Sequence, residues 1–115
     1  MVYLVVYLVV FMSQVKVTFF LPIRDNDGRD LSIEISEVEE RCYEAFGAWT
    51  LIGYFKGTWR MATGERKLDT SVVYMVAINE KQIVDLETIL KNFKKKTTQE
   101  SVFLEIERNV EIRLV

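Results

Sequence analysis

Between Val15 and Ile106 the apolar residues recur at every second position, then at every third or fourth, and this change happens twice. Nothing else in the chain narrows its possible folds as much. A strand turns successive side chains to opposite faces, whereas a helix returns to the same face every 3.6 residues. Val15, Val17, Phe19 and Leu21 alternate with Lys16, Thr18 and Phe20, predicting a strand over residues 15–23 that ends at Pro22. Leu31, Ile35, Val38, Cys42 and Ala45/Phe46 then form one helical stripe opposite Glu34, Glu37, Arg41 and Glu44. Asp30 or Ser32 can cap that helix, and Gly47 can end it.

Residues 49–59 and 70–78 are two β-rich runs around a turn centred on Thr63-Gly64. Gly53 and Gly57 within the first run mark a bulge or a close backbone approach. Asn79 and Gln82 have capping-box spacing ahead of a stripe of Ile83, Leu86, Leu90 and Phe93. Lys91, Lys94, Lys95 and Lys96 crowd that helix's last turn, where they complement its dipole as a solvated end. Val102, Leu104 and Ile106 alternate in a closing strand. Val110, Ile112 and Leu114 continue as a short strand or tail.

Strand, helix, two strands, helix, strand is the order of the ferredoxin-like split βαβ arrangement. The expected fold is therefore an α+β sandwich, an antiparallel sheet with two helices on one face and a long hairpin between its second and third strands. With 115 residues, half of them apolar and one of them proline, residues 13–115 suit a single domain that needs no disulfide or structural metal. The uncovered face is expected to be apolar too. One side of the hairpin should carry Trp49, Leu51, Phe55 and Trp59, and the other Ile52 and Tyr54. A bare apolar patch of that kind marks an interface, so a homodimer packed through sheet faces or the hairpin ribbon is expected.

Residues 1–12 form an apolar extension, of which Val2 to Phe11 carry no charge. A spanning helix needs about 20 such residues, so this is not a membrane span. Its valines and tyrosines favour an extended strand. Three readings stand: a start-site artefact with Met12 as the natural beginning, an extra strand on a sheet edge or a neighbouring subunit, and a membrane-interface or export element.

The sequence has no histidine, which removes the commonest general base and transition-metal ligand. Cys42 is the only cysteine; it lies on a buried stripe and suits a reducing, cytoplasmic setting. The net charge of −2, with mixed signs, argues against a partner that is a nucleic acid. Lys56-Gly57-Thr58-Trp59 matches an RNA-recognition motif poorly and lies on the wrong strand. No phosphate loop, dinucleotide fingerprint, paired-cysteine metal motif or nucleophile elbow is present.

The segments Gly57-Thr58-Trp59-Arg60, Gly64-Glu65 and Thr70-Ser71-Val72-Val73, followed by Thr98-Gln99-Glu100-Ser101-Val102, resemble a bacterial family designated domain of unknown function three-five-seven-four. The resemblance runs from about Lys16 to Val115. It implies a ferredoxin-like fold of dimeric α+β-barrel type and supplies no activity. This chain departs from the family pattern in its N-terminal run and around residues 66–69.

The candidate ligand-binding residues are Tyr54, Trp59, Arg60, Glu65 and Arg66 along the hairpin, where aromatic surface beside guanidinium groups can clamp a planar or carboxylate-bearing ligand. Cross-strand pairing that merely stiffens the ribbon is the plainer reading. Asp25, Asp27 and Asp30 could hold a divalent cation, but they also suit turns and helix caps, and Ser36 stands where an EF-hand needs glutamate. Gln99-Glu100, with Glu105 and Glu107, could supply a carboxylate to a pocket between helices and sheet. No metal or cofactor is expected. The expected function is an interaction or small-ligand-binding module without catalysis. The alternative is a cofactor-free enzyme of the dimeric α+β-barrel type acting on a small hydrophobic or aromatic compound.

Overall fold

The computed structural model describes residues 14–115. Along them run β1 (Gln14–Pro22), α1 (Ser32–Phe46), β2 (Thr50–Arg60), β3 (Arg66–Asn79), a 3-10 turn (Glu80–Gln82), α2 (Ile83–Lys96) and β4 (Leu104–Glu107). The strands make one antiparallel sheet in the order β2-β3-β1-β4. This is the ferredoxin-like α+β sandwich that the spacing predicts. The extension and extra strand considered for residues 1–12 lie outside the described residues. Among those described, no helix is long and apolar enough to cross a membrane.

The core lies between the helices and one sheet face. Val15, Val17, Phe19 and Leu21 of β1 meet Val72, Tyr74, Val76 and Ile78 of β3, and all are buried. Leu31, Val38 and Cys42 cover them from the α1 side, with Ile83, Leu86, Leu90 and Phe93 on α2. Burying such a side chain contributes about 1.5–3 kcal/mol, so this layer is the main source of stability.

Both helix stripes sit where the 3.6-residue period puts them, and their ends are held by local chemistry. The Asn79 side chain accepts from the Gln82 backbone, and the Gln82 side chain accepts from the Asn79 backbone, completing the capping box. Gly47 ends α1 in the left-handed region at φ 81°, with its N–H donating to the Tyr43 carbonyl. At the start of α1, Ser32 donates to the Asp30 carboxylate, although Leu31 occupies the capping position itself.

Three features depart from the periodic reading. β3 begins at Arg66, four residues before the apolar run, because ladder bonding continues through side chains that face solvent on a free ribbon. Residues 108–115 form neither helix nor strand. The third departure corrects the facing of the hairpin. The β2–β3 register shifts between Leu51 and Gly53, a bulge that places Leu51 opposite Tyr74 and Tyr54 opposite Val72. Leu51 and Tyr54 therefore share the helix side, and Trp49 packs edge-on against Tyr74 there, with ring centroids 5.6 Å apart. Phe55 and Trp59 stay on the open side with Ser71 and Lys67. One inserted residue reverses every side chain upstream of it, so the grouping of Trp49, Leu51, Phe55 and Trp59 on one side does not hold.

The helices leave β2 uncovered. Every residue of this edge strand except Gly53 is exposed.

Candidate functional site

β1 stops at Pro22, opposite Ser71, while the β2–β3 ribbon runs on past it. One further bond, from the Ile23 N–H to the Thr70 carbonyl at 3.0 Å, holds the chain to β3 before it turns away. Beyond that point β3 still turns Ser71, Asp69 and Lys67 towards the open side, without a β1 neighbour beside Asp69 and Lys67. The segment between α2 and β4 fills the flank. The result is an open cavity of about 180 Å³ on the uncovered face. Phe20 and Pro22 line it from β1, Lys67, Asp69 and Ser71 from β3, and Trp59, Arg60 and Met61 from the end of β2. Gln99, Glu100 and Phe103 form the opposite wall.

The aromatic part is built on Phe20. Its ring contacts Phe55 edge-on at 5.8 Å and Phe103 at 4.8 Å. Trp59 leans back along its own strand, so that its indole nitrogen lies 3.7 Å from the place a Cβ on Gly57 would take. Gly57 pairs with Asp69. The missing side chain at Gly57 thus lets the indole lie over the ribbon beside Asp69, the close approach that a glycine within a strand suggests.

The wall is fixed from below by Asp25, which is only 2% exposed. One of its carboxylate oxygens accepts from the Thr98 backbone (2.7 Å), the Thr98 hydroxyl, the Gln99 side chain (3.3 Å) and the Asn26 backbone (3.0 Å). The other takes Arg29 at 3.2 Å, and Arg29 also reaches Glu34 and the Lys96 carbonyl. Burial pushes the Asp25 carboxyl up, but the donors from Thr98, Asn26 and Gln99 outweigh it and hold the group below its ordinary range. Two bridges tie the wall and the adjoining loop to the ribbon. Glu100 accepts from the Ala62 N–H at 3.2 Å, and Lys67 donates to the Asn26 carbonyl at 3.2 Å.

The three aspartates of this loop do not converge. Asp27 accepts from the Arg29 N–H and Asp30 from Ser32, while Asp25 is saturated as above. Among the described residues no group of three His, Cys, Asp or Glu side chains is placed to hold a metal. Cys42 is buried in the core, where burial and the charge of Glu39 push its thiol up to about 12.

The hairpin residues singled out in the sequence separate in space. Trp59 and Arg60 border the cavity, but the register turns Arg60, with its partner Arg66, to the helix side, and both border a second hollow of about 270 Å³ at the ribbon's tip. Glu65 sits in the turn, its carbonyl accepting from the Met61 N–H. Tyr54 points to the helix side and is 65% exposed. Gln99 and Glu100 stand on the open face rather than between helices and sheet. Phe20, Asp69, Ser71 and Phe103 were not among the sequence candidates. One signal for Asp69 was available: a carboxylate two positions from Ser71 on the same face of a β-branched run.

Asp69 differs from Asp25 in one respect. It is half-buried and accepts no hydrogen bond among the described residues. Burial therefore raises its carboxyl above the usual range, opposed only by the charge of Lys67.

No family model matches the chain, and no curated protein matches it. Solved structures do. A phage SAM lyase in complex with S-methyl-5'-thioadenosine is 17% identical, with a TM-score of 0.65 over 86% of this chain and 84% of that one. CutA1 from Oryza sativa is 7% identical, with a TM-score of 0.63 over 92% and 85%. The periplasmic divalent cation tolerance protein CutA from Archaeoglobus fulgidus is 11% identical, with a TM-score of 0.63 over 88% and 87%. At these identities the likeness shows architecture alone: the chain has a ferredoxin-like α+β fold.

Proposed function

We propose that this protein is a small-ligand-binding module, working as a homodimer and without catalysis, whose site is the open-face cavity. One observation carries the reading. The Trp59 segment and the 98–102 segment, some forty residues apart in sequence, both line the same cavity. The fold brings these two distant segments to one face of the sheet, which is what a shared binding site requires. Trp59, Phe20 and Phe103 supply ring faces for a planar ligand. The phage lyase with its bound thioadenosine is a precedent for a small planar ligand on this architecture. The buried thiol of Cys42 suits the cytoplasm.

Saturation-transfer NMR on the full chain with a mixture of single-ring aromatic fragments tests this. Transfer should be seen and should fall at least tenfold in Trp59→Ala, with the fold intact by circular dichroism. Undiminished transfer in that variant would place the site elsewhere.

The second copy is supported by the exposed edge of β2, where Leu51, Ile52, Tyr54 and Phe55 are 41–65% exposed. A long apolar edge strand left bare is an aggregation hazard. Sedimentation equilibrium at micromolar concentration should give twice the chain mass, and Ile52→Lys with Phe55→Lys should give the single chain. A wild-type protein that is already monomeric would count against the dimer.

The cofactor-free enzyme remains the second reading, favoured by the raised Asp69 carboxyl beside Ser71 in an aromatic cavity. It requires turnover of an aromatic compound that disappears in Asp69→Asn.

A further inference from the structure

The strand period divides the charges of the ribbon between its two faces. Arg60 and its partner Arg66 turn to the helix side, so neither is placed to serve the aromatic cavity. The cavity itself keeps Asp69, Glu100 and one cation, Lys67. Lys67 donates to the Asn26 carbonyl at 3.2 Å, and Glu100 accepts from the Ala62 N–H. The Asp69 carboxylate makes no hydrogen bond or ion pair among the described residues, with Lys67 or any other. Ser71, two positions along the same face, is 6% exposed, and its hydroxyl has no partner among them either. Buried polar groups are nearly always hydrogen-bonded. A carboxylate and a hydroxyl left open side by side, in a lining whose other polar groups are engaged, call for a donor from outside the chain.

The surroundings say which donor fits. The Trp59 indole nitrogen lies 3.7 Å from the place a Cβ on Gly57 would take, and Gly57 is the ladder partner of Asp69. Indole and carboxylate therefore flank one spot on the ribbon. Phe55 is the ladder partner of Ser71, and Phe20 packs between Phe55 and Phe103. Ring faces carry negative potential and attract a cation. A half-buried carboxylate repels an anion, and its lost hydration is best replaced by a charged donor. The rings and the acid thus favour the same sign of charge, and no uncommitted cation faces the cavity to oppose them.

Resting on the reading of this cavity as the binding site, we propose that its ligand is an aromatic amine in its cationic form, a ring carrying an ammonium group on a short arm. The ammonium donates to the Asp69 carboxylate and the Ser71 hydroxyl. Two residues on one face of a strand stand about 7 Å apart, so one nitrogen between them reaches both side chains. The ring rests against Trp59 and Phe20. An aromatic acid is excluded, since its anion would face Asp69. Neither Asp69 nor Ser71 is needed for the fold, because neither side chain bonds the rest of the described chain.

The experiment follows the Trp59 indole N–H signal, identified by its loss in Trp59→Phe, while the full chain is titrated separately at neutral pH with benzylamine, benzyl alcohol and benzoate. These probes share a ring and differ in the charge of the head group. Benzylamine, a cation at that pH, should shift the signal at a concentration at least tenfold lower than either of the others. Asp69→Asn should bring benzylamine to the level of benzyl alcohol and leave the alcohol unchanged. If benzyl alcohol or benzoate shifts the signal at the same concentration as benzylamine, the ligand class is wrong while the cavity survives as a binding site. A preference for benzylamine that persists in Asp69→Asn overturns the proposal in the same way. If none of the three moves the Trp59 signal, the class and the cavity reading both fail. The wild-type comparison stands by itself should the variant not fold.

Discussion

Replacing Asp25 by alanine is expected to cost about 3–5 kcal/mol of folding stability, the range for removing one partner from a buried charged network. The carboxylate is 2% exposed and gathers donors from Thr98, Gln99, Asn26 and Arg29. Alanine leaves those donors facing a small void, where each unsatisfied group costs about 1–3 kcal/mol before relaxation and water entry. Asparagine keeps an acceptor oxygen in place and should cost roughly half as much. Urea denaturation of the three proteins measures both.

The acid dependence follows from the same network, because the folded-state carboxyl is held below its unfolded value. Its contribution is complete above the ordinary carboxylate pKa of about 4 and is lost as pH falls through the lower folded value. Wild type should therefore lose stability faster than Asp25→Ala on acidification, and the gap between them should close. A gap that stays constant down to about pH 2 would mean that the carboxylate is not held by these donors.

Replacing Tyr74 by alanine should cost about 3–5 kcal/mol, as for other large aromatics removed from a packed core. Its ring stacks on Phe19 at 5.5 Å and meets Trp49 edge-on, and it is among the largest fully buried side chains. Tyr74→Phe keeps those contacts and removes only the hydroxyl that donates to Glu39. Its cost should be about 1–2 kcal/mol, a single charge-assisted hydrogen bond to a half-buried carboxylate. Burial, and next the nearby Glu39, raise the Tyr74 phenol, so it stays protonated and the Phe variant should show no new pH dependence near neutrality. Equal losses in the two variants would mean that the ring is not what anchors β3 to the helices.

The helices and the central strands were legible because each of their residues answers to one partner layer. Val17, Phe19, Leu86 and Phe93 face a core whatever the rest of the chain does, and period alone finds them. Asn79 and Gln82 were equally readable, since a capping box is local chemistry. The hairpin was less so. Gly53 marked a bulge in β2, but which side chains it turns over depends on the β3 residues lying opposite, and a reading of β2 alone cannot supply that register.

The cavity was harder still. Its wall is set by a contact between Asp25 and Thr98, seventy-three positions apart, and the Asp25 loop by itself looks like ordinary turn chemistry. Trp59 and Arg60 stood out by residue type. Asp69 did not, because in a strand a half-buried unpaired carboxylate is written the same way as a solvated one. Tyr54 misled for the opposite reason: an aromatic on an exposed strand has the same appearance on either face.

A crystal structure of the full chain soaked with single-ring aromatic compounds tests the central claim most directly. The expected result is ring density stacked on Trp59, bounded by Phe20 and Phe103. Rings found only beside Tyr54 or over the tip near Arg66, with the Trp59 cavity occupied by water alone, would contradict it.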